Sequence, residues 1–258
     1  MTDHLQFAAN SHVGLVRENN EDSYAIVHPG QGYPLALVLA DGMGGHSKGE
    51  LASRIAVDFV ASFLREDLLT PRQPGEWAVR LPELVKKANV KVYLGSLDQA
   101  ENKGMGTTLT ALVVSQRDVV VAHVGDCRVY MFRDGNLRQL TVDHTLVQEM
   151  VDAGSLTPDE TRNHPRRNVL TRALGFPEFI NPDVMRATLE AGDLLLLCSD
   201  GLHGFVSDEA IAASLSGSGE PQAAVDRLVQ ASLDAGGEDN VTVLVLQFDS
   251  PASAGGAQ

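Results

Sequence analysis

Apolar residues recur along this chain with two different periods, and the changes of period mark out its elements. Tyr24–Val27 and Leu35–Ala40 read as strands, the second an unbroken apolar run. Ser47-x-x-Glu50 then has the form of a reciprocal helix-start box. Behind it Leu51, Ala52, Ile55, Ala56, Phe59, Val60, Phe63 and Leu64 follow at helical spacing. A Pro-rich break over Thr70–Pro74 leads to a second helix from about Trp77 to Leu97, with Leu81, Leu84, Val85, Ala88 and Val92 as its core face. From Thr107 to Thr141 the period falls to two. That stretch predicts four strands joined by tight turns at Gln116-Arg117, Gly125-Asp126 and Asp134-Gly135.

Between Asp143 and about Leu174 the pattern supports two short helices. His144–Ala153 ends at Gly154, and a second helix starts at Thr157 with Pro158 in its first turn. Asp193–Cys198 is another apolar strand, helices follow near Asp208–Leu215 and Pro221–Ala235, and Val241–Phe248 is the last strand. Residues 249–258 are small and polar, the composition of a disordered tail. With no repeat and no linker, residues 1–248 are expected to form a single domain. Antiparallel strand runs with long helices inserted between them predict an α+β fold, two facing sheets with helices outside.

Composition narrows the function classes. The 258 residues carry a formal charge of −14, and no Lys/Arg cluster exceeds the pair Arg166-Arg167. A nucleic-acid partner is therefore not expected. No apolar run approaches the ~20 residues that span a bilayer, and MTDHLQFAAN lacks the features of a leader, so a cytoplasmic protein with no membrane contact is expected. Two cysteines, Cys127 and Cys198, support neither a disulfide framework nor a zinc site. A monomer is the default.

Chemistry enters through aspartates at the ends of apolar strands. Asp41 follows "LALVLA", Asp200 follows "DLLLLCS", Asp239 precedes the last strand in "GGEDNVTVLVL", and Asp126 sits in "VVVAHVGDCRVY". Asp-Gly is first a turn dipeptide, and Asp134-Gly135, between Arg133 and Asn136, needs no other explanation. Four such aspartates at comparable positions suggest convergence instead. Buried unpaired carboxylates cost several kcal/mol each, and a divalent cation offsets that. Oxygen donors alone point to Mg²⁺ or Mn²⁺ rather than zinc. Gly42 would let a backbone carbonyl approach a metal, Gly44-Gly45 would supply positive φ, and the following helix would aim its positive end at an anion. Arg17, ahead of Asp22 in "GLVRENNEDSYAI", could clamp a phosphate through paired hydrogen bonds.

These residues resemble the metal-dependent protein phosphatases of the PP2C (PPM) type, in their bacterial single-domain branch. The likeness runs from "SHVGLVRENNEDSY" through "VLADGMGGHSKGELAS", "GMGTTLTALVV", "HVGDCRVYMF", "LTVDHTLVQEMVDAGSLTPDE", "HPRRNVLTRALG" and "LLLLCSDGLHGFV" to "GGEDNVTVLVL". It implies a central antiparallel β-sandwich of two sheets flanked by helices on both sides. It also implies hydrolysis of phosphoserine and phosphothreonine on proteins by a water bridging two Mn²⁺ or Mg²⁺ ions, with a weaker third ion. Asp41 would bridge the ions, the Gly42 carbonyl would bind one, and Asp200 and Asp239 would complete the other. Asp126 with Asp200 would form the third site. Asp22, helped by Glu21, would hold metal-bound water, and Arg17 would bind substrate phosphate.

The resemblance further implies a flap over about residues 143–167, containing His144 and His164, and phosphoprotein substrates that include a Hanks-type serine/threonine kinase. Met43 stands where animal members carry a histidine, leaving His46 a candidate proton donor by proximity only. Cys127 stands where the family usually has serine, adding an oxidisable group near Asp126. A two-metal nuclease is a rival that the missing basic surface disfavours. A non-catalytic phosphoprotein-binding module is another, disfavoured by the full set of aspartates.

Overall fold

The computed structural model describes residues 6–30, 34–44, 47–70, 72–176, 179–217 and 219–248. Three strands come first: β1 (Gln6–His12), β2 (Asp22–Val27) and β3 (Leu35–Met43). Helices α1 (Ser47–Asp67) and α2 (Pro74–Asp98) follow. Then come β4 (Gly106–Thr107), β5 (Leu109–Ser115), β6 (Asp118–Val124), β7 (Arg128–Arg133) and β8 (Asn136–Gln139). Short helices α3 (Leu146–Asp152) and α4 (Pro158–Thr161) precede β9 (Asp183–Thr188) and β10 (Leu194–Cys198). The chain continues through α5 (Asp200–His203), α6 (Asp208–Leu215), α7 (Pro221–Asp234) and β11 (Val241–Gln247).

Two antiparallel sheets result, ordered β1-β11-β10-β7-β8 and β2-β3-β5-β6-β9, with β4 paired to the end of β3. Burial on both faces explains the unbroken apolar runs. On β3, Leu35, Leu37 and Leu39 face the opposite sheet, where Leu195, Leu197, Leu244 and Leu246 join the same cluster. The alternate residues Ala36, Val38 and Ala40 face outward into a layer filled by α1 and α2. On β10, Leu194, Leu196 and Cys198 likewise face outward, against α6 and α7. The order of layers is therefore helices, sheet, sheet, helices, as the α+β reading and the resemblance imply.

Several boundaries differ from the sequence reading. Helix α2 starts at Pro74 rather than Trp77, with the Glu76 carboxylate accepting the Gln73 amide at 3.0 Å. The proline-rich break thus supplies the helix start. Phe63, expected in the core, is 41% exposed and rests on Phe59. The Gly125-Asp126 connection is not a hairpin turn, because β6 pairs with β5 and β9 while β7 pairs with β10 and β8. It carries the chain from one sheet to the other. Strands β1 and β9 were not legible, since both are half-exposed edge strands in which polar residues interrupt the apolar pattern. The Ser47 side chain, Gly45, His46 and the 249–258 tail lie outside the described residues.

Candidate active site

One end of the sandwich interior turns from apolar to polar, and strand parity decides what faces it. Asp41 continues the inward series Leu35, Leu37, Leu39. Its backbone is held on both sides: its amide donates to Thr108 Oγ1 at 2.8 Å, and its carbonyl accepts from Thr107 Oγ1 at 2.9 Å and the Thr108 amide at 2.8 Å. The carboxylate is left to face the interior, beside Asp200. Asp22 lies opposite Asp41 in the β2–β3 register. Asp22 Oδ2 accepts from Ser199 Oγ at 2.8 Å and Thr242 Oγ1 at 2.7 Å, both supplied by the other sheet. Asp22 therefore ties the two sheets together behind the mouth.

The remaining acids arrive from the connections. Asp126 sits on the sheet-to-sheet crossing, where His203 Nε2 donates to its carbonyl at 3.0 Å. The crossing is pinned by His144, whose Nδ1 accepts the Gly125 amide at 3.0 Å and whose own amide donates to the Gly125 carbonyl at 2.8 Å. Asp200 opens α5 directly after β10. Asp239 precedes β11; its Oδ2 accepts from Arg17 Nη2 at 2.9 Å and its Oδ1 from the Asn240 amide at 2.9 Å. Asn240 braces the loop that carries Arg17 and Glu21, donating to the Val13 and Asn19 carbonyls and accepting the Glu21 amide.

These residues share one cavity of about 230 Å³, lined by Arg17, Glu21, Asp41, Gly42, Met43, Gly44, Thr108, Asp126, Asn168, Leu170, Asp200, Asp239 and Asn240. The concentration of like charge shows in the acids themselves. Burial, and then the neighbouring carboxylates of Asp22 and Asp200, push Asp41 well above the usual carboxylate range. Burial and Asp200 do the same to Asp126. Asp22 is raised to about 7, chiefly by burial, against the pull of its two hydroxyl donors. Asp200 is raised to about 6 by burial and Asp239, offset by a hydrogen bond with Asp41. Burial also raises Glu21, with Arg17 opposing it.

That donor set fits hard divalent cations. It is all oxygen, and Asp22 Oδ1 and Glu21 Oε1 are buried without a hydrogen-bond partner. Among the described residues no three Asp, Glu, His or Cys side chains close tightly enough to hold an ion by themselves. Mg²⁺-like ions, which keep several waters and take only one or two carboxylates each, need no tighter nest.

The glycines serve packing as well as access. A Cβ on Gly42 would sit 2.1 Å from the Gly49 carbonyl oxygen, so only glycine lets β3 meet the first turn of α1. Gly44 has φ +139°, the positive value expected at this turn. The Glu21 carboxyl packs against this first turn as well, since a Cβ on Gly49 would sit 2.8 Å from Glu21 Oε1.

A family model described as protein phosphatase 2C matches residues 11–235. The chain belongs to the protein phosphatase 2C family. Serine/threonine protein phosphatase PstP of Mycobacterium tuberculosis is 41% identical over 93% of this chain, which spans 44% of that protein's length. Serine/threonine phosphatase stp of Listeria monocytogenes is 36% identical over 95% of this chain and 96% of its own length. The structure of the PstP catalytic domain in complex with 2 manganese ions matches with a TM-score of 0.82 at 39% identity, over 95% of this chain and 99% of that one.

In this phosphatase 2C chain Arg17, Glu21, Asp41, Gly42, Asp126, Asp200 and Asp239 line the cavity and Asp22 stands beside Asp41, whereas His144, His164 and Cys127 are not among its lining residues. Other parts of the site escaped sequence reading. Thr107, Thr108, Ser199, Thr242 and Asn240 carry ordinary polar side chains, and only their partners reveal their roles. The cavity rim comes from Asn168 and Leu170, just beyond the expected flap limits, because a bridge between Thr145 and Leu170 closes the base of that segment. His203 is held neutral, at about 3, by burial and Arg128. Cys127, expected to be oxidisable, is fully buried against Thr108 Oγ1 at 3.2 Å, and burial with Asp41 nearby pushes its thiol well up.

Proposed function

We propose that this phosphatase 2C chain hydrolyses phosphoserine and phosphothreonine esters on proteins with Mn²⁺ or Mg²⁺ bound in the 230 Å³ cavity. One observation carries the reading: Asp41, Asp126, Asp200 and Asp239 converge on a single cavity that also holds Arg17, though they come from distant segments. Asp41 and Asp200 would hold one pair of cations together with Asp239 and the Gly42 carbonyl, and Asp126 would add a site beside Asp200. When bound, such ions supply a water acidic enough to ionise near neutral pH and neutralise the phosphoryl oxygens.

The chain's own residues do the rest. Asp22 is fixed by Ser199 and Thr242 with one buried oxygen unpartnered, an acceptor that would be open to a metal-held water. Arg17 carries a half-exposed guanidinium, which can leave Asp239 for the substrate phosphate once cations neutralise that carboxylate. Asn168 and Leu170 line the cavity beside the place a bound ester would take. His144 and His203 do not line this cavity, and each spends a ring nitrogen on the backbone of the Gly125-Asp126 crossing.

Phosphoproteins are made where ATP and protein kinases are, so we place the enzyme in the cytoplasm opposing a serine/threonine kinase. No helix among the described residues is long and apolar enough to cross a membrane. The test is direct. Purified protein should release phosphate from an aryl phosphate and from a phosphothreonine peptide only with Mn²⁺ or Mg²⁺. Turnover in excess chelator would refute the reading.

A further inference from the structure

Beside the catalytic cavity lies a larger groove of about 710 Å³ that the chemistry above does not use. Its apolar wall is Met43, Leu170, Ala173, Phe176, Phe179 and Ile180. Phe176 is 53% and Phe179 is 79% exposed, a large outlay of aromatic surface in a chain with only 5% aromatic residues. Phe176 has a defined seat, since a Cβ on Gly106 would come within 2.2 Å of its ring, and Gly106 pairs with Met43. Among the described residues the charged groups lining the groove are Arg172 and Asp183, and these are paired with each other at 2.7 Å. Among the described residues the groove thus offers apolar surface with no unmatched charge.

Continuity with the site names the occupant. Met43, Asn168 and Leu170 line both the catalytic cavity and this groove, so a single layer of side chains separates them. In an extended peptide, residues two positions apart point the same way and stand roughly 6.6 Å apart. A phosphoresidue dipping into the catalytic cavity therefore presents its second neighbour, on one side, to the groove. Resting on the phosphatase reading, we propose that the groove selects substrates carrying a large apolar side chain, leucine or phenylalanine, two residues from the phosphorylated serine or threonine, with Phe179 as the specificity-determining contact.

The test uses the Mn²⁺-loaded full chain and phosphoserine peptides in which the residue two places before or after is varied among Leu, Phe, Ala, Lys and Asp. An aryl phosphate, which has no neighbours to place, serves as the reference. The expected result is a kcat/KM about tenfold higher for Leu or Phe than for Asp or Lys at one of the two positions, the scale on which apolar pockets discriminate. Phe179→Asp should erase that preference while leaving aryl phosphate turnover within about twofold. Phe179→Ala, which adds no charge, should weaken the preference and carries the test if Phe179→Asp folds poorly. Equal rates across the peptides, a preference for Lys or Asp, or an apolar preference untouched by both variants would overturn the proposal. So would a Phe179→Asp effect confined to oligomeric state, which would assign the groove to a second copy of the chain. Failure of the wild-type protein on the aryl phosphate itself would instead refute the phosphatase reading, a separate result.

Discussion

Asp22 and Asp41 stand opposite each other on neighbouring antiparallel strands, yet Asp22 spends its carboxylate on Ser199 and Thr242 while Asp41 keeps its own in the cavity beside Asp200. Asp41 is held through its backbone and leaves its carboxyl to the cavity. Replacing it with the neutral isostere should separate function from folding. Asp41→Asn is expected to lower turnover by at least about a hundredfold, the scale for losing one main electrostatic contact in a transition state. The same change removes a buried like charge, so the chelated variant should melt higher than chelated wild type. Scanning calorimetry beside an aryl phosphate assay checks both halves.

The same repulsion makes the metal-free protein sensitive to pH. Asp22 and Asp200 move from an ordinary 3.8 up to about 7 and about 6 in the fold. The folded state thus binds these protons more tightly than the unfolded chain does. Their contribution is complete at pH values below the ordinary carboxylate range and is lost as pH rises through 6 to 7. In excess chelator the melting temperature should fall across that window, and added Mn²⁺ should restore it most at the alkaline end. A chelated protein whose melting point is flat or rising there would contradict the electrostatic account.

Behind the crossing, Arg128 meets Asp143 with Nη2 2.7 Å from Oδ2, and both groups are largely buried. Removing the acid would leave a desolvated guanidinium with the Tyr130 hydroxyl but no counter-charge, which costs about 3 kcal/mol. For a protein of this size that corresponds to a loss of roughly 6–12 °C in melting temperature. Asp143→Asn should show that drop in thermal denaturation with Mn²⁺ present. Because Asp143 begins the segment carrying Asn168 and Leu170, KM for a phosphopeptide should rise as well.

Arg17 tests recognition of the phosphate. Its ion pair with Asp239 is half-exposed, so stability should hardly change on substitution. Arg17→Ala is expected to reduce kcat/KM for a phosphopeptide by about tenfold to a hundredfold, on the scale of a lost charged hydrogen bond. Arg17→Lys should recover only part of that, since an ammonium cannot present two parallel donors. Steady-state kinetics on the three proteins checks it.

The cysteines should be inert in the folded enzyme. Both are fully buried, and burial pushes both thiols up, Cys127 under the added influence of Asp41. A thiol reagent should label neither at pH 8 until denaturant is added, and Cys127→Ser should keep full activity. Rapid labelling of native protein would show that the interior of the crossing opens.

The layers and the acids were legible in the residue pattern alone. The unbroken apolar runs Leu35–Ala40 and Leu194–Cys198 imply burial on both faces, and counting puts Asp41 on the face of Leu35, Leu37 and Leu39. Aspartates at the ends of such runs are conspicuous because carboxylates there cost free energy unless something answers them. Tertiary structure alone decided the rest. The strands β1 and β9 form on sheet edges, where half-solvated residues carry little apolar signal. Gly125-Asp126 reads locally as a hairpin turn, and only the pairing of β7 with β10 makes it a crossing between sheets. The hydroxyls that hold Asp22 lie 177 and 220 residues away along the chain. Local pattern reports which face a residue takes, because that is set by backbone geometry over a few bonds. Which distant groups meet on that face is set by how the two sheets pack.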